Sequence, residues 1–326
     1  MRIHRYLILL LPFLLLMTGC FRTSSTDAIQ QQDSSRPYIS ESKSSTKNFN
    51  IHNLEDLYQF LTYDDNRYPL ISAHRGGDYN GYPENAIETF AHWAERFPLI
   101  IECDVRITKD SVLVLMHDAT LERTTDGKGK VSSKTWEELK ALRLKAPNGL
   151  LTPYKIPTLE EVLRWGKDKV LFTLDVKPEV PYSLLTQIIQ KTNAQPYSIV
   201  ITYTANQARA INRINPDLML SVNIQSQQDL SRLTEAGIPD NRMVAFVGTR
   251  QADQKLINLL HAHGIKIILG TMGNLDRQAK ARGYQVYAEY VENGADILST
   301  DNVEDAQKAL DFYIKKRNLS SPYIIK

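Results

Sequence analysis

Two histidines, an arginine, a lysine and several carboxylates stand at the ends of short apolar runs in this chain. Ile71-Ser72-Ala73 leads into His74-Arg75-Gly76-Gly77, and Ile101 leads into Glu102-Cys103-Asp104. Met116 is followed by His117-Asp118, and Leu174 by Asp175-Val176-Lys177. Side chains two apart on a strand share a face, so Glu102 and Asp104 point one way and Cys103 the other. Asp175 and Lys177 likewise share a face, one anion and one cation. Two hard oxygen donors on one face, with an arginine and imidazoles nearby, suit a divalent cation and a phosphate. Histidine suits proton transfer near neutrality because its unperturbed pKa is about 6.5. Cys103, turned away from the carboxylates, reads as a buried structural thiol and not a nucleophile.

Such groups need a scaffold that brings strand ends together. Strand-like runs occur at Leu70 to Ala73, Leu99 to Val105, Val170 to Val176, Ser198 to Tyr203, Leu218 to Val222, Met243 to Val247, Ile265 to Leu269 and Asp296 to Ser299. Amphipathic stretches lie between them at Ala86 to Arg96, Ser183 to Thr192, Ala205 to Ile214, Gln227 to Ala236, Ala252 to His263 and Gln278 to Asn293. Asn53 to Leu61 has helical spacing and is expected to cap the domain. Short apolar strands separated by helices are what a (β/α)8 TIM barrel requires. No Gly-rich dinucleotide fingerprint follows the first strand, as an open nucleotide-binding sheet would show. Thr108 to Gly149 breaks the rhythm after the second strand. It holds a hairpin strand at Val112 to Met116, a turn at Asp126-Gly127 and a short helix near Thr135 to Leu142. An insertion at that end of a strand belongs on the active face of a barrel, where strands give way to their following loops. His74 and Arg75, Glu102 and Asp104, and Asp175 and Lys177 all fall late on or just past successive strands, and so converge on that face.

The string His74-Arg75-Gly76, then Pro83-Glu84-Asn85, Glu102-x-Asp104 and His117-Asp118, resembles the glycerophosphodiester phosphodiesterase family. The resemblance runs from about Pro69 to Leu310, firmly to Lys177 and loosely after it. It implies hydrolysis of glycerophosphodiesters to glycerol 3-phosphate and an alcohol, with His74 and His117 as general acid and base on opposite sides of the phosphorus. It also implies a three-carboxylate metal site of Glu102, Asp104 and Asp175, although the family carries Glu where this chain has Asp175. Glu179 is a conceivable substitute for that position. An all-oxygen set favours Mg2+ or Ca2+ over zinc. Arg75 can grip the phosphate in a bidentate way and Lys177 can add a point charge. Glu84 and Asn85 fit N-capping of the first barrel helix, with Asn85 also placed to orient a catalytic group. At the seventh strand the family often has an aromatic Trp-Thr-Val-Asn-like string, whereas this chain has Gly270-Thr271-Met272-Gly273-Asn274. Ser299-Thr300-Asp301 resembles the family's terminal string. His52, His92, His261 and His263 read as structural.

The chain has 326 residues, 42% of them apolar, which supports a sizeable core. A net charge of +2 gives no electrostatic case for nucleic acid. Residues 1–20 read as a targeting segment: Arg2 and Arg5, an apolar run from Tyr6 to Met17, then Thr18-Gly19-Cys20. That ending resembles a bacterial lipoprotein signal with Cys20 as the lipidated residue, implying a membrane-anchored protein of the cell envelope. Residues 21–50, rich in Ser, Thr, Gln and Lys, read as a disordered tether, leaving 51–326 as the catalytic domain. With Cys20 lipidated, Cys103 has no partner and no disulfide is expected. The expected partners are a small diester or lysolipid substrate and a membrane; no protein partner is identifiable. Two other readings stay open: a sphingomyelinase D-like phospholipase acting on lipid phosphodiesters, and a non-catalytic lipoprotein that binds phosphate esters.

Overall fold

The computed structural model describes residues 46–325. The expected signal peptide, Cys20 and most of the expected tether lie outside them. In chain order the strands are β1 (Leu70–Ala73), β2 (Ile100–Ile107), β3 (Leu113–Leu115), β4 (Arg143–Lys145), β5 (Leu151–Lys155), β6 (Leu171–Val176), β7 (Ser198–Thr202), β8 (Met219–Asn223), β9 (Met243–Phe246), β10 (Ile267–Gly270) and β11 (Ile297–Thr300). The helices are α1 (Leu54–Leu61), α2 (Ile87–Ala94), α3 (Trp136–Leu139), α4 (Leu159–Gly166), α5 (Tyr182–Lys191), α6 (Ala205–Ile214), α7 (Gln227–Glu235), α8 (Gln254–Ala262), α9 (Asn274–Arg282), α10 (Val286–Glu292) and α11 (Val303–Arg317).

β1 pairs with β11, and pairing runs on through β10, β9, β8, β7, β6 and β2, which returns to β1. All eight strands are parallel, so the sheet closes as the (β/α)8 barrel the alternation calls for. The strands form because they are runs of Val, Ile and Leu buried on both faces. Helices pack their apolar stripes on the outside, among them Phe90 and Trp93 of α2 and Leu159, Val162 and Leu163 of α4. Capping boxes start α4 (Thr158 with Glu161) and α6 (Thr204 with Gln207), which fixes where the chain leaves each loop.

α1 starts at Asn53, whose side chain accepts from the Asp56 amide, and buries Leu57, Tyr58, Phe60 and Leu61. Thr62 bridges to Ile265 just before β10, so this helix covers the end of the barrel opposite the carboxylates. The folded region begins before residue 51. Asn48 and Phe49 are buried, Phe49 bridges to Ile324, and the Asn48 side-chain Nδ2 donates to the Ala94 and Lys169 carbonyls at 2.6 and 3.0 Å. The expected tether boundary at Asn50 is therefore a few residues late, because an isolated Phe among polar residues carries little periodicity. The single amphipathic stretch from Gln278 to Asn293 is two helices, α9 and α10, divided at Gly283, whose φ of 105° no helix continues.

The insertion after β2 returns β3 antiparallel to it, with Val105 opposite Leu115. α3 follows with a Thr135–Glu138 capping box, then a β4–β5 hairpin that the sequence pattern did not indicate. The hairpin strands are short and β5 contains Pro153, so alternation is weak there. Val114, Leu121, Val131, Leu139, Leu144 and Ile156 give the insertion an apolar cluster of its own.

Candidate active site

The register of β2 on β6 sets Asp104 opposite Asp175 and Glu102 opposite Thr173. Strand alternation then sends Glu102, Asp104 and Asp175 into the barrel, and Cys103, fully buried, toward the helices. One oxygen from each of the three carboxylates lies within 4.8 Å of the other two. Like charges this close in a buried place oppose ionisation. Burial, then Asp104, pushes the Glu102 carboxyl up to about 8, against the pull of His74 and the Arg75 amide. Lys177 Nζ answers part of that charge at 2.6 Å from both Asp104 Oδ1 and Asp175 Oδ2. Burial works against the charge of Lys177 and of Asp104, but their mutual attraction outweighs it: the ammonium pKa is raised and the Asp104 carboxyl is held below its usual range. Tyr203, following β7, donates its phenol to Asp175 Oδ1 at 2.8 Å. Burial and Asp175 hold that phenol's pKa far above its ordinary value, so it is a donor at neutral pH.

Ionised together, the three carboxylates would carry more negative charge than Lys177 and the more distant Arg75 guanidinium offset, a charge that a bound cation would answer. The donors are all hard oxygens, and the residues present fit a divalent cation of the Mg2+ or Ca2+ type. Asp175, the residue that departs from the family pattern, reaches the cluster despite its shorter side chain. Glu179 does not: it pairs with Arg106, whose guanidinium also donates to the His117 carbonyl at 3.0 and 2.7 Å.

His74-Arg75-Gly76 forms a tight turn off β1. Arg75 takes a left-handed φ of 54°, uncommon for a residue with a side chain, and this aims its amide at Glu102 Oε2, 2.8 Å away. Gly77, at φ 81°, leaves no room for a side chain, since a Cβ there would sit 2.3 Å from Val303. The Arg75 guanidinium makes only long contacts, Nη1 to Glu84 Oε2 at 3.4 Å and Nε to Asp104 Oδ2 at 3.6 Å. Its buried Nε has no hydrogen-bond partner among the described residues.

Each histidine has its Nδ1 held by a carboxylate: His74 by Asp301 and His117 by Asp118, both at 2.7 Å. With Nδ1–H donating to a carboxylate, the neutral ring keeps its lone pair on Nε2. Both rings line one cavity of about 240 Å3 with the three carboxylates. Burial opposes charging of His74, yet Asp301 and Glu102 outweigh it and raise the ring's pKa. Asp301 follows β11 in the Thr300-Asp301 string; its place at a strand's C-terminal end was the available signal for a site role.

Glu84 and Asn85 are not helix caps. The cap of α2 is Ala86, with no side-chain bond. Asn85, at φ 57°, instead faces Asp104, and Glu84 takes Arg75 and Arg123. The remaining histidines among the described residues lie elsewhere: His92 against Tyr79, His261 on Asp296, His263 on Asp240 and His52 on Asn50. Ile201, Phe246, Ile268 and Met272 form an apolar wall of the cavity beside Tyr203. Met272 stands on the seventh barrel strand's loop, and the aromatic surface comes from Phe246 and Tyr203 on other strands. Among the described residues no helix is long and apolar enough to cross a membrane.

A family model described as the glycerophosphoryl diester phosphodiesterase family matches residues 74–304. A crystal structure of a glycerophosphoryl diester phosphodiesterase from Parabacteroides distasonis is 37% identical, with a TM-score of 0.76 over 82% of this chain and 94% of that one. A glycerophosphodiester phosphodiesterase from Caldanaerobacter subterraneus is 34% identical over 161 residues, 47% of this chain and 65% of the relative's length. A phosphodiesterase from Oleispira antarctica, solved with the product sn-glycerol-3-phosphate, shares the fold at 20% identity, with a TM-score of 0.61 over 78% of this chain and 99% of that one.

Proposed function

The chain belongs to the glycerophosphoryl diester phosphodiesterase family, and from that premise we propose that it hydrolyses glycerophosphodiesters to glycerol 3-phosphate and an alcohol. The observation that carries this reading is the convergence of two carboxylate-held imidazoles, an arginine with an unpartnered Nε and three carboxylates at one end of one barrel. Glu102, Asp104 and Asp175 would hold the divalent cation. When bound it supplies positive charge against that building on the phosphoryl oxygens.

Arg75 takes the phosphate, its Nε gaining the acceptor it lacks. Lys177 keeps a fixed positive charge beside Asp104 and Asp175. Of His74 and His117, one takes the proton of the attacking water or hydroxyl and the other returns a proton to the leaving alkoxide, each through Nε2. Asp301 and Asp118 hold the tautomers that this requires. Binding of glycerol 3-phosphate by the Oleispira protein supports the same product class here. The apolar wall of Ile201, Phe246, Ile268 and Met272 favours a second substrate class, lipid-bearing diesters.

Product analysis on glycerophosphocholine and on lysophosphatidylcholine, with Mg2+, Ca2+ or Mn2+, tests the reading. Release of glycerol 3-phosphate from the first supports it. Turnover of the lysolipid alone, with a cyclic phosphate product, moves the assignment to the second class. Retained activity in His74→Ala or His117→Ala overturns the two-histidine scheme, and no turnover with any of these metals overturns the hydrolase. Anchoring through Cys20 belongs to the same proposal and rests on residues 1–20 alone; Cys20→Ala that fractionates with membranes as the unaltered chain does would remove it.

A further inference from the structure

The carboxylate behind His117 and the carboxylate beside Arg75 are held by one guanidinium. Arg123 Nε donates to Asp118 Oδ2 at 2.6 Å and Nη2 to Asp118 Oδ1 at 2.9 Å. The same group gives Nη1 to Glu84 Oε2 at 2.8 Å and Nη2 to Glu84 Oε1 at 2.7 Å. Both carboxylates are thus gripped in the fork geometry that only arginine supplies. Asp118 in turn holds His117 Nδ1, and Glu84 Oε2 accepts from Arg75 Nη1 at 3.4 Å.

Arg123 comes from the insertion, and its backbone is fixed there by buried neighbours. Leu121 is in the insertion's apolar cluster, Thr124 is buried, and Thr125 Oγ1 donates to the Leu121 carbonyl at 2.7 Å. The Arg123 side chain as a whole is about half exposed, at 48%. An exposed ion pair contributes little to stability, since water screens it and two long side chains must be ordered. A forked network is the exception that can add stability, yet stability alone does not account for four bonds that converge on two carboxylates beside His117 and Arg75. They make better sense as a means of keeping two neighbouring carboxylates ionised and fixed in direction. Hydrogen bonds from Arg123 lead the causes that hold the Asp118 carboxyl far below its usual range.

We infer that Arg123 is a positioning residue, one that ties the orientation of His117 to that of Arg75 through Asp118 and Glu84. The insertion is then part of the catalytic apparatus and not a surface flap. The inference rests on the proposed hydrolysis for its kinetic readout, but its geometric content does not.

Two measurements on the full chain test it. The first is steady-state kinetics and melting temperature of Arg123→Ala and Arg123→Lys on a glycerophosphodiester. Loss of outer-shell partners costs about 10- to 100-fold. We expect that fall in kcat/KM for Arg123→Ala at a nearly unchanged melting temperature, with Arg123→Lys recovering only part of it because an ammonium cannot fork to two carboxylates. The second is the NMR signal of the His117 ring nitrogens at fixed pH, assigned by its loss in His117→Asn. Without Arg123 the Asp118 carboxylate is no longer fixed in direction, so the single Nδ1–H tautomer should give way to a mixture of the two. Wild-type kinetics in Arg123→Ala, or full recovery by lysine together with an unchanged His117 ring signal, overturns the inference. If Arg123→Ala does not fold, Arg123→Lys decides by the same two readouts. If the unaltered chain turns over no diester, the function fails while the ring signal still reads the Arg123 link.

Discussion

Asn85 and Asp104 face each other with two hydrogen bonds, Asn85 Nδ2 to Asp104 Oδ2 at 2.8 Å and the Asp104 amide to Asn85 Oδ1 at 3.0 Å. Both residues are buried, so each bond is satisfied by the other and by nothing in solvent. The Asn85 amide also donates to the Arg75 carbonyl at 2.9 Å. One asparagine thereby sets a carboxylate of the candidate metal site and the turn that carries His74 and Arg75. Asn85→Asp keeps the left-handed backbone, which Asp tolerates, but replaces a donor to Asp104 with an acceptor. kcat/KM should fall by about 10- to 100-fold, with a matching rise in the metal concentration for half-activity. A metal titration of activity that superimposes on the unaltered chain's would refute this.

Tyr203 does for Asp175 what Asn85 does for Asp104. Its phenol holds Oδ1 while Lys177 holds Oδ2, so both oxygens of the shortened carboxylate are fixed. Tyr203→Phe leaves the ring in the cavity wall and removes one bond worth about 1 kcal/mol, which corresponds to a several-fold weaker metal site. Substrate KM at saturating metal should change far less. Calorimetric titration with Mg2+ or Ca2+ gives the answer, and equal affinities for the two proteins would discard the role.

How much of this was legible beforehand depended on whether a residue's job could be read from its own strand. Glu102, Asp104, Asp175 and Lys177 were placed by two-residue alternation, and β1 has the bounds that Leu70 to Ala73 give in the sequence. Asp301 and Tyr203 act on residues from other strands, and Arg123 on residues 5 and 39 positions away. Strand pairing brings Asp301 to His74 and Tyr203 to Asp175, and the fold of the insertion brings Arg123 to Asp118 and Glu84; two-residue alternation encodes neither. In the sequence Asn85 reads as the helix start because Asn is a good cap. Its backbone instead turns left-handed one residue before the cap at Ala86, sending the side chain inward.

Cys103 offers a test of strand alternation itself. It lies between two site carboxylates in sequence, yet points outward into the apolar layer with no exposed surface. Burial, with Glu102, Asp104 and Asp175 adding to it, pushes the thiol pKa well above its ordinary value, so no thiolate is available near neutrality. Cys103→Ala should keep full turnover and lose about 1 kcal/mol of stability from the small void it leaves. Cys103→Ser should lose more, because a hydroxyl is buried there without a partner. Thiol reagents should leave the native enzyme unlabelled at this position and label it on unfolding. Loss of turnover in a well-folded Cys103→Ala protein would contradict the inward and outward assignments together.

The opposite end of the barrel holds the group whose titration should be visible in stability. Lys266 is buried, with Nζ donating to the Phe60 carbonyl at 2.7 Å and standing 5.1 Å from the centre of the Phe60 ring. Burial, only partly offset by Asp296 and Asp64 and abetted by Arg67, lowers its pKa to about 8. An unfolded lysine titrates near 10.4. Below pH 8 both states are protonated, and the folded chain bears the full cost of a buried charge, on the order of 3 kcal/mol. Between about pH 8 and 10.4 the folded state releases the proton while the unfolded state keeps it, so this group's contribution to stability rises with pH. Above that window the cost is gone. Lys266→Met has no such titration, so the melting temperature of the variant minus that of the unaltered chain should be largest near pH 7 and shrink steadily toward pH 10. A difference that stays constant across that range would mean that Lys266 is not held as a strained ammonium beneath the barrel.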